Sequence, residues 1–198
     1  MNFLAHIYLS GDDRKLQVGN FIGDFVKGNK YLDYPQRIRD GILFHREIDN
    51  FTDTHPIFIE TVLLLRPTFK RYSGIIADMY FDYFLASEFD MFSRNKSLNR
   101  FSYEFYINVL WHYKWLPDRL KRFIFHFISS NRLKKYADYD GLHSSLSIMN
   151  SRKSQAINPN LSISFLKENE DNLKSLFMEF FSEAIEFAKN NPLATPNF

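Results

Sequence analysis

Residues Phe69–Phe89 read FKRYSGIIADMYFDYFLASEF, long for a strand and, wound as a helix, apolar on most sides. A helix with so little polar face belongs inside a bundle, covered by its neighbours. It also carries Asp78 and Asp82. A carboxylate in such surroundings must reach solvent, meet a cation or raise its pKa, because a bare charge is costly to desolvate.

The covering helices are legible on either side. Asn2–Ser10 is short and apolar, and Gly11-Asp12-Asp13 reads as a turn. Leu16–Lys27 is helix-like, ends at Gly28-Asn29 and is interrupted by Gly19 and Gly23. Each internal glycine costs about 1 kcal/mol relative to Ala, which close packing of another element or a ligand would offset. Pro35 suits the first turn of a helix that starts at Asp33 or Tyr34, runs to Asn50 and keeps Ile38, Ile42, His45 and Asp49 on one line. Pro56–Arg66 follows, closed by Pro67; after the central segment come Ser97–Leu116, Asp118–Tyr136, Asp140–Arg152 and the amphipathic Asn160–Asn190. Period-2 alternation is almost absent. The pattern predicts one all-α domain over residues 1–198, a bundle of about seven to nine helices.

Composition narrows the chemistry. The 22 Phe and 11 Tyr, with only seven Gly and seven Pro, suit long helices packed through rings. With no Cys, a disulfide scaffold, a thiolate zinc site and a cysteine nucleophile are excluded, and any metal must be held by His and carboxylates. A net charge of +2 is too small to imply nucleic-acid binding. No apolar run approaches the roughly 18 residues of a membrane span, and Met1–Ser10 lacks the basic region and cleavage site of a signal peptide. A cytoplasmic protein is expected.

Acids and histidines concentrate in the first 82 residues: His6, Asp24, His45, Asp49, Asp53, His55, Asp78 and Asp82, with Arg46 among them. His45/Asp49, Asp49/Asp53 and Asp78/Asp82 are spaced i, i+4, which sets each pair on one helix face a turn apart. Imidazole and carboxylate so placed can share a divalent cation such as Mn, Fe, Zn or Mg. The competing reading puts Asp78 or Asp82 at an exposed edge, against Arg71 or a helix terminus. Asp53 suits an N-cap for the helix at Pro56 as well as it suits chemistry, and His6, alone on an apolar stretch, reads as a core histidine before a ligand. His112, His126 and His143 have no acid at helical spacing and read as structural. Phosphate-binding glycine loops, a serine nucleophile elbow and an HExxH pair are all missing.

Charge is segregated as well. Between Arg119 and Lys135 stand Arg119, Lys121, Arg122, Arg132, Lys134 and Lys135 with no acid. The run is either a solvated face or a docking surface for an acidic partner.

Several short motifs, in order, resemble the acyl carrier protein phosphodiesterase family: Met1-Asn2-Phe3-Leu4-Ala5-His6, Gly19 to Gly28 (GNFIGDFVKG), Gly41 to Asp49 (GILFHREID), Phe51-Thr52-Asp53 and Arg71–Leu85. Tyr136 to Asp140 and Met149-Asn150-Ser151-Arg152 resemble its weaker C-terminal markers. The resemblance is dense over residues 1–85 and sparse beyond. It implies a helical hydrolase distantly similar to HD-type metal-dependent phosphohydrolases, which removes the 4′-phosphopantetheine arm from holo-acyl carrier protein with a divalent cation, Mn²⁺ being the usual one. The family's His-Arg-x-x-Asp element falls on His45, Arg46 and Asp49, its Gly/Ala-Asp-Phe element on Asp24, and its Asp-x-x-x-Asp element on Asp78 and Asp82. Some members carry His after the second acid of that last element, where this chain has Tyr83.

With that resemblance, His45, Asp49 and Asp78 are the expected metal ligands, Asp24 the next and His6 a lesser one. Asp82 is expected behind the ligands or as general base, Arg46 as phosphate clamp and His55 as general acid. Residues 1–85 would be the catalytic half, and residues 97–190 a helical half whose Arg119–Lys135 run docks the acidic carrier protein. Two rivals stand beside this reading: an HD-type phosphohydrolase acting on a nucleotide or small phosphate ester, and a helical module that grips acyl carrier protein without cleaving it.

Overall fold

A computed structural model describes residues 2–93, 95–152 and 157–194. Three of the family markers, Met1 and the side chains of Ser151 and Arg152, lie outside the described residues. The described chain is helical throughout, without a strand. In order it forms α1 (Phe3–Leu9), α2 (Arg14–Ile22), α3 (Gln36–Thr54), α4 (Pro56–Phe69), α5 (Ser73–Ser87), α6 (Phe89–Phe92), α7 (Leu98–Trp111), α8 (Asp118–Ser129), α9 (Arg132–Lys135), α10 (Tyr139–Arg152), α11 (Pro159–Glu168) and α12 (Glu170–Asn190). Short 3-10 turns occupy Gly23–Phe25, Gly28–Asp33, Lys70–Tyr72 and Tyr113–Trp115. None of the described helices is long and apolar enough to cross a membrane.

The all-α expectation holds, but boundaries move: the Leu16–Lys27 helix ends at Ile22, the one expected to stop at Asn50 runs on to Thr54, and further breaks follow. Pro67 lies inside α4, which runs on to Phe69 and stops at Lys70 (φ 51°). The segment expected over Phe69–Phe89 is therefore α5 flanked by a 3-10 turn and the four-residue α6. Asp118–Tyr136 breaks at Asn131, which adopts the left-handed conformation (φ 46°, ψ 53°); Asn tolerates that conformation better than most residues do. Asn160–Asn190 breaks at Asn169 into α11 and α12. These extra breaks raise the number of α-helices to twelve among the described residues, α6 and α9 having only four residues each.

The central place of α5 follows from its sequence. Helices α1, α4, α6 and α12 all pack on it, and Ile76, Ala77, Met79, Tyr80, Phe81, Phe84 and Leu85 are buried. Phe81 meets Phe58 of α4 and Phe177 and Phe180 of α12, with ring centroids 5.7, 5.5 and 5.1 Å away. The Tyr80 hydroxyl is satisfied by the Ser162 carbonyl at 2.6 Å. Buried apolar side chains run from Leu4 to Ala194 as one cluster.

Helices α2 and α3 cross closely because Gly19 meets Gly41: a Cβ on Gly19 would stand 2.1 Å from the Ile38 carbonyl oxygen. The glycines that would weaken an isolated helix are what let these two backbones touch. Asp13 then fixes the pair, accepting the Lys15 and Leu16 amides at the start of α2 and the Arg37 guanidinium of α3 at 2.7 Å. This crossing and the approach of α1 to α2 bring three separate segments to one place.

Candidate metal centre

Three segments meet at that place: His6 from α1, Asp24 from the turn after α2, and His45 and Asp49 from α3. The imidazoles of His6 and His45 stack with centroids 4.1 Å apart, and both are buried. His6 Nε2 lies 3.2 Å from Asp49 Oδ1 and His45 Nε2 lies 3.2 Å from Asp49 Oδ2. Asp24 Oδ1 is 3.6 Å from His45 Nε2. One ligand atom each from His6, His45 and Asp49 fits within 4.8 Å.

Asn20 sets the orientation of both rings. Its Nδ2 donates to the His6 carbonyl and to the Ser10 hydroxyl, each at 2.8 Å, and this fixes which way the amide points. Its Oδ1 then faces His6 Nδ1 at 2.8 Å and His45 Nδ1 at 3.2 Å. A carbonyl oxygen only accepts, so both rings carry their N–H at Nδ1 and present Nε2 to the cluster. Neither buried Nε2 has a hydrogen bond of its own. Two ring nitrogens facing a carboxylate with no donor beside them suit a divalent cation once His45 gives up its Nε2 proton to the ion, and two imidazoles with carboxylates suit Mn, Fe, Zn or Mg. The residues fit a metal.

Electrostatics agree with the geometry. Burial lowers the His6 pKa, and His45 beside it lowers it further, to about 4. Burial opposes the charge of His45 too, yet Asp24 and Asp49 outweigh it and raise its pKa to about 9. Burial would raise Asp49, but His45 and His6 hold it far below the usual carboxylate range. His45 likewise holds Asp24 down, against burial. Without metal the cluster keeps one positive charge on His45, where a cation would sit. Asp49 and Asp24 are 41% and 63% exposed against 2% and 7% for the two histidines, so the centre opens to solvent on its carboxylate side.

The other expected site residues are placed differently. Asp82 is fully buried; its Oδ2 accepts the Leu4 amide at 3.0 Å and its Oδ1 the Ala5 amide at 3.2 Å. It therefore holds the first turn of α1, the helix that carries His6; the competing reading's helix terminus is its partner, but Asp82 meets it in the interior and not at an exposed edge. Burial still dominates and raises its pKa to about 7. Asp78, one turn earlier, has a shielded Oδ1 and a pKa raised by burial, with Asp49 and Asp53 adding to the rise. Asp49 acts on it electrostatically, but it lies outside the 4.8 Å ligand group.

Arg46 donates through Nη2 to the carbonyls of Val26 and Gly28 at 3.1 and 2.7 Å and lies over Tyr31 at 5.2 Å, anchoring the loop that follows Asp24. Ten residues separate His55 from His45, roughly 15 Å along a helix axis. Its ring packs on Phe51 and Phe180, and its Nε2 pairs with Glu183 at 3.3 Å. Asp53 is an exposed residue within α3, while His55 takes the cap position of α4 without a side-chain bond; the N-cap expectation for Asp53 fails because α3 runs past it.

Tyr83 is engaged by α10 and α12. Its hydroxyl donates to Glu170 Oε1 at 2.8 Å, its ring stacks on Tyr139, and the Tyr139 hydroxyl donates to Glu170 Oε2 at 2.6 Å. Asn20 is the residue that the sequence did not single out. It stood inside the Gly19–Gly28 motif, and that membership was its only signal.

A helical protein that aims two tautomer-fixed imidazoles and a carboxylate at one point, open on its acidic side, has the build of a metal-dependent hydrolase. Comparison with known proteins gives this class a family. A sequence model described as acyl carrier protein phosphodiesterase matches residues 1–184, and the chain belongs to that family. The acyl carrier protein phosphodiesterase of Yersinia pestis is 29% identical over 193 residues, covering 98% of this chain and 100% of that one. Those of Enterobacter sp. strain 638 and Klebsiella pneumoniae strain 342 are 33% and 32% identical over 196 residues, again with 98% and 100% coverage. No solved structure matches the chain.

Proposed function

We propose that this protein hydrolyses the phosphodiester that joins 4′-phosphopantetheine to a serine of holo-acyl carrier protein, and that it does so in the cytoplasm with a divalent cation, Mn²⁺, at the His6/His45/Asp49 centre. The observation that carries this reading is the pair of buried, donor-less Nε2 atoms beside Asp49, in a chain matched to the family almost end to end. Asp24, at the solvent edge, completes the donor set. The metal's contribution is to acidify a bound water and neutralise charge on the phosphoryl oxygens.

The chain's own groups do the rest. Water adds to phosphorus, the bond between phosphorus and the serine oxygen breaks, and the serine oxygen takes up the proton that the water has given. Asp78, whose pKa burial raises and whose field overlaps that of Asp49, is the group we assign to hold the proton that water gives up. Arg46 anchors the Asp24 loop and turns its remaining guanidinium edge to the phosphate. Asp82 positions α1, and His55 packs against α12.

The acidic carrier protein docks on the face bearing Arg119, Lys121, Arg122, Arg132, Lys134 and Lys135. Arg119, Arg122, Lys134 and Lys135 are exposed there, Lys121 pairs with Asp118 at 3.4 Å, and Arg132 lies over Tyr136. Arg119 sits 6.0 Å from the Phe25 ring, beside Asp24, so the basic face begins at the edge of the centre. The architecture in this reading is an HD-phosphohydrolase-like single domain. Mass measurement of holo-acyl carrier protein after incubation with the enzyme and Mn²⁺ tests it. Loss of the prosthetic arm is expected. An intact mass alongside turnover of a nucleotide would transfer the site to small phosphate esters.

A further inference from the structure

Helix α7 buries Phe105, Tyr106 and Val109 but leaves Tyr103, Ile107, Leu110 and Trp111 in water. Those four positions follow one another at spacings of four, three and one, so they lie along a single outer face. Trp111 is 83% exposed, at the end of the helix, and Phe125 on α8 is 60% exposed. The Tyr113 ring stands 5.7 Å from Phe125 and joins the end of α7 to α8. Isolated exposed apolar residues need no explanation; a contiguous aromatic patch marks an interaction site.

The surroundings say what it fits. From Lys114 to His126 the chain carries Lys114, Arg119, Lys121 and Arg122 against Asp118 alone. Lys121 Nζ lies 5.8 Å from the Tyr113 ring, which puts a cation at the rim of the patch. Arg122 is exposed one turn before Phe125 on α8. An aromatic centre inside a basic rim is the complement of an acidic surface with an apolar helix face. The patch and the centre share helix α8: Arg119 reaches Phe25 beside Asp24, and Phe125 is six residues further along α8, roughly 9 Å of helix axis. Phe125 is also turned about a third of the way round α8 from Arg119, with Arg122 between them on the rim, so a partner curving over this end of α8 would meet both.

We propose that Trp111 and Phe125, with the outer face of α7, are the apolar anchors that receive an apolar helix face of the acidic carrier protein, while the basic rim steers it. This rests on the carrier-protein substrate reading above and adds residues that no motif or charge run pointed to. In such an interface aromatic anchors dominate affinity, and rim charges set the association rate and its salt dependence.

The test is direct binding of apo-acyl carrier protein to the full-length, Mn²⁺-loaded protein, run beside cleavage of holo-acyl carrier protein and of bis(p-nitrophenyl) phosphate. Trp111→Ala with Phe125→Ala is expected to weaken carrier-protein binding at least tenfold, an effect of hot-spot size, while metal content and small-diester turnover stay at wild-type levels. Trp111→Phe should recover part of the affinity. Arg122→Glu should slow association and flatten its salt dependence. Equal affinity in the double variant overturns the proposal. So does loss of self-association, or of binding to anionic vesicles, with carrier-protein affinity unchanged, since the patch would then serve a second copy or a membrane. If wild type binds carrier protein through these anchors but leaves its prosthetic arm intact, the docking surface stands and the hydrolytic reading falls.

Discussion

A Cβ placed on Gly23 would stand 2.3 Å from Cγ of His45. The His45 ring fills the space that any other residue at position 23 would take, and Asp24 follows at once on the same turn. Gly23→Ala must push the ring off Asn20 or move the turn away. Overpacking of this kind costs typically about 1–3 kcal/mol, and here it falls on a ligand. The variant is expected to fold, to bind Mn²⁺ at least tenfold more weakly and to lose most of its activity. Equilibrium dialysis with metal analysis, beside circular dichroism, checks it; wild-type affinity would mean that His45 is not a ligand.

Asn20 offers a second lever on the same centre without touching a ligand atom. Its Oδ1 accepts from both imidazoles, so Asn20→Ala leaves two buried ring N–H groups without an acceptor, at about 1–3 kcal/mol each. Partners behind metal ligands are worth about 10–100-fold in metal affinity or activity. Thermal melts should show a lower Tm for the metal-free variant. Metal titration should show a loss of that order, with a smaller fraction of the stability returned by Mn²⁺ than in wild type.

These residues mark how far the sequence could be read. The line Ile38, Ile42, His45 and Asp49 was visible because helical spacing alone puts them on one face, and all three of its apolar or ring members are buried. His6 was ambiguous because its role depends on α1 meeting α3, a contact between segments far apart in sequence. Asp78 and Asp82 share spacing but not environment: one is acted on by the charge of Asp49, while the other holds the start of α1. Asn20 left no trace in spacing or charge, since an amide is neutral and acts only through which neighbours it finds. The helix break at Asn131 was hidden for a related reason: a left-handed Asn carries no obligatory signature, unlike Gly or Pro.

Tyr83 directly follows the second acid of the Asp78/Asp82 pair, and its geometry predicts that it is silent in catalysis. The hydroxyl is directed to Glu170 on α12 and the ring to Tyr139. Tyr83→Phe removes one of the two hydroxyl donors to Glu170, worth about 1.5–3 kcal/mol for a bond to a charged acceptor. For a chain of this size that corresponds to a Tm lower by about 3–12 °C. Turnover of holo-acyl carrier protein should stay within twofold of wild type. A large fall in kcat with an unchanged Tm would place Tyr83 at the reacting atoms instead.

Asp82 gives the protein a pH signature that its position dictates. Its pKa is about 7 in the folded chain, raised by burial from the model-peptide value of 3.8. Among the described residues, the titratable groups that face it are Asp78 on its own helix and the neutral Tyr136 hydroxyl, whose pKa burial raises to about 12 with Asp82 adding to the rise. A carboxyl with a raised folded pKa contributes its full stability below the unfolded value and loses it as pH climbs through the folded one. The stabilisation attached to this group is therefore complete near pH 4 and gone above pH 7, a change on the order of 4 kcal/mol for a fully buried group. The stabilisation tied to His45, whose pKa is raised to about 9, is lost in a higher window that opens near the ordinary histidine value of 6.5. Asp82→Asn keeps one acceptor for the α1 amides and turns a donor on the other, which costs about 1–3 kcal/mol at every pH. The variant should melt below wild type at pH 5 and draw level with it or pass it at pH 8, because only wild type then buries a charge. Metal-free melts at the two pH values decide the matter: parallel curves for the two proteins would show that the carboxylate is already ionised at pH 5 and that its bonds to Leu4 and Ala5 outweigh its burial.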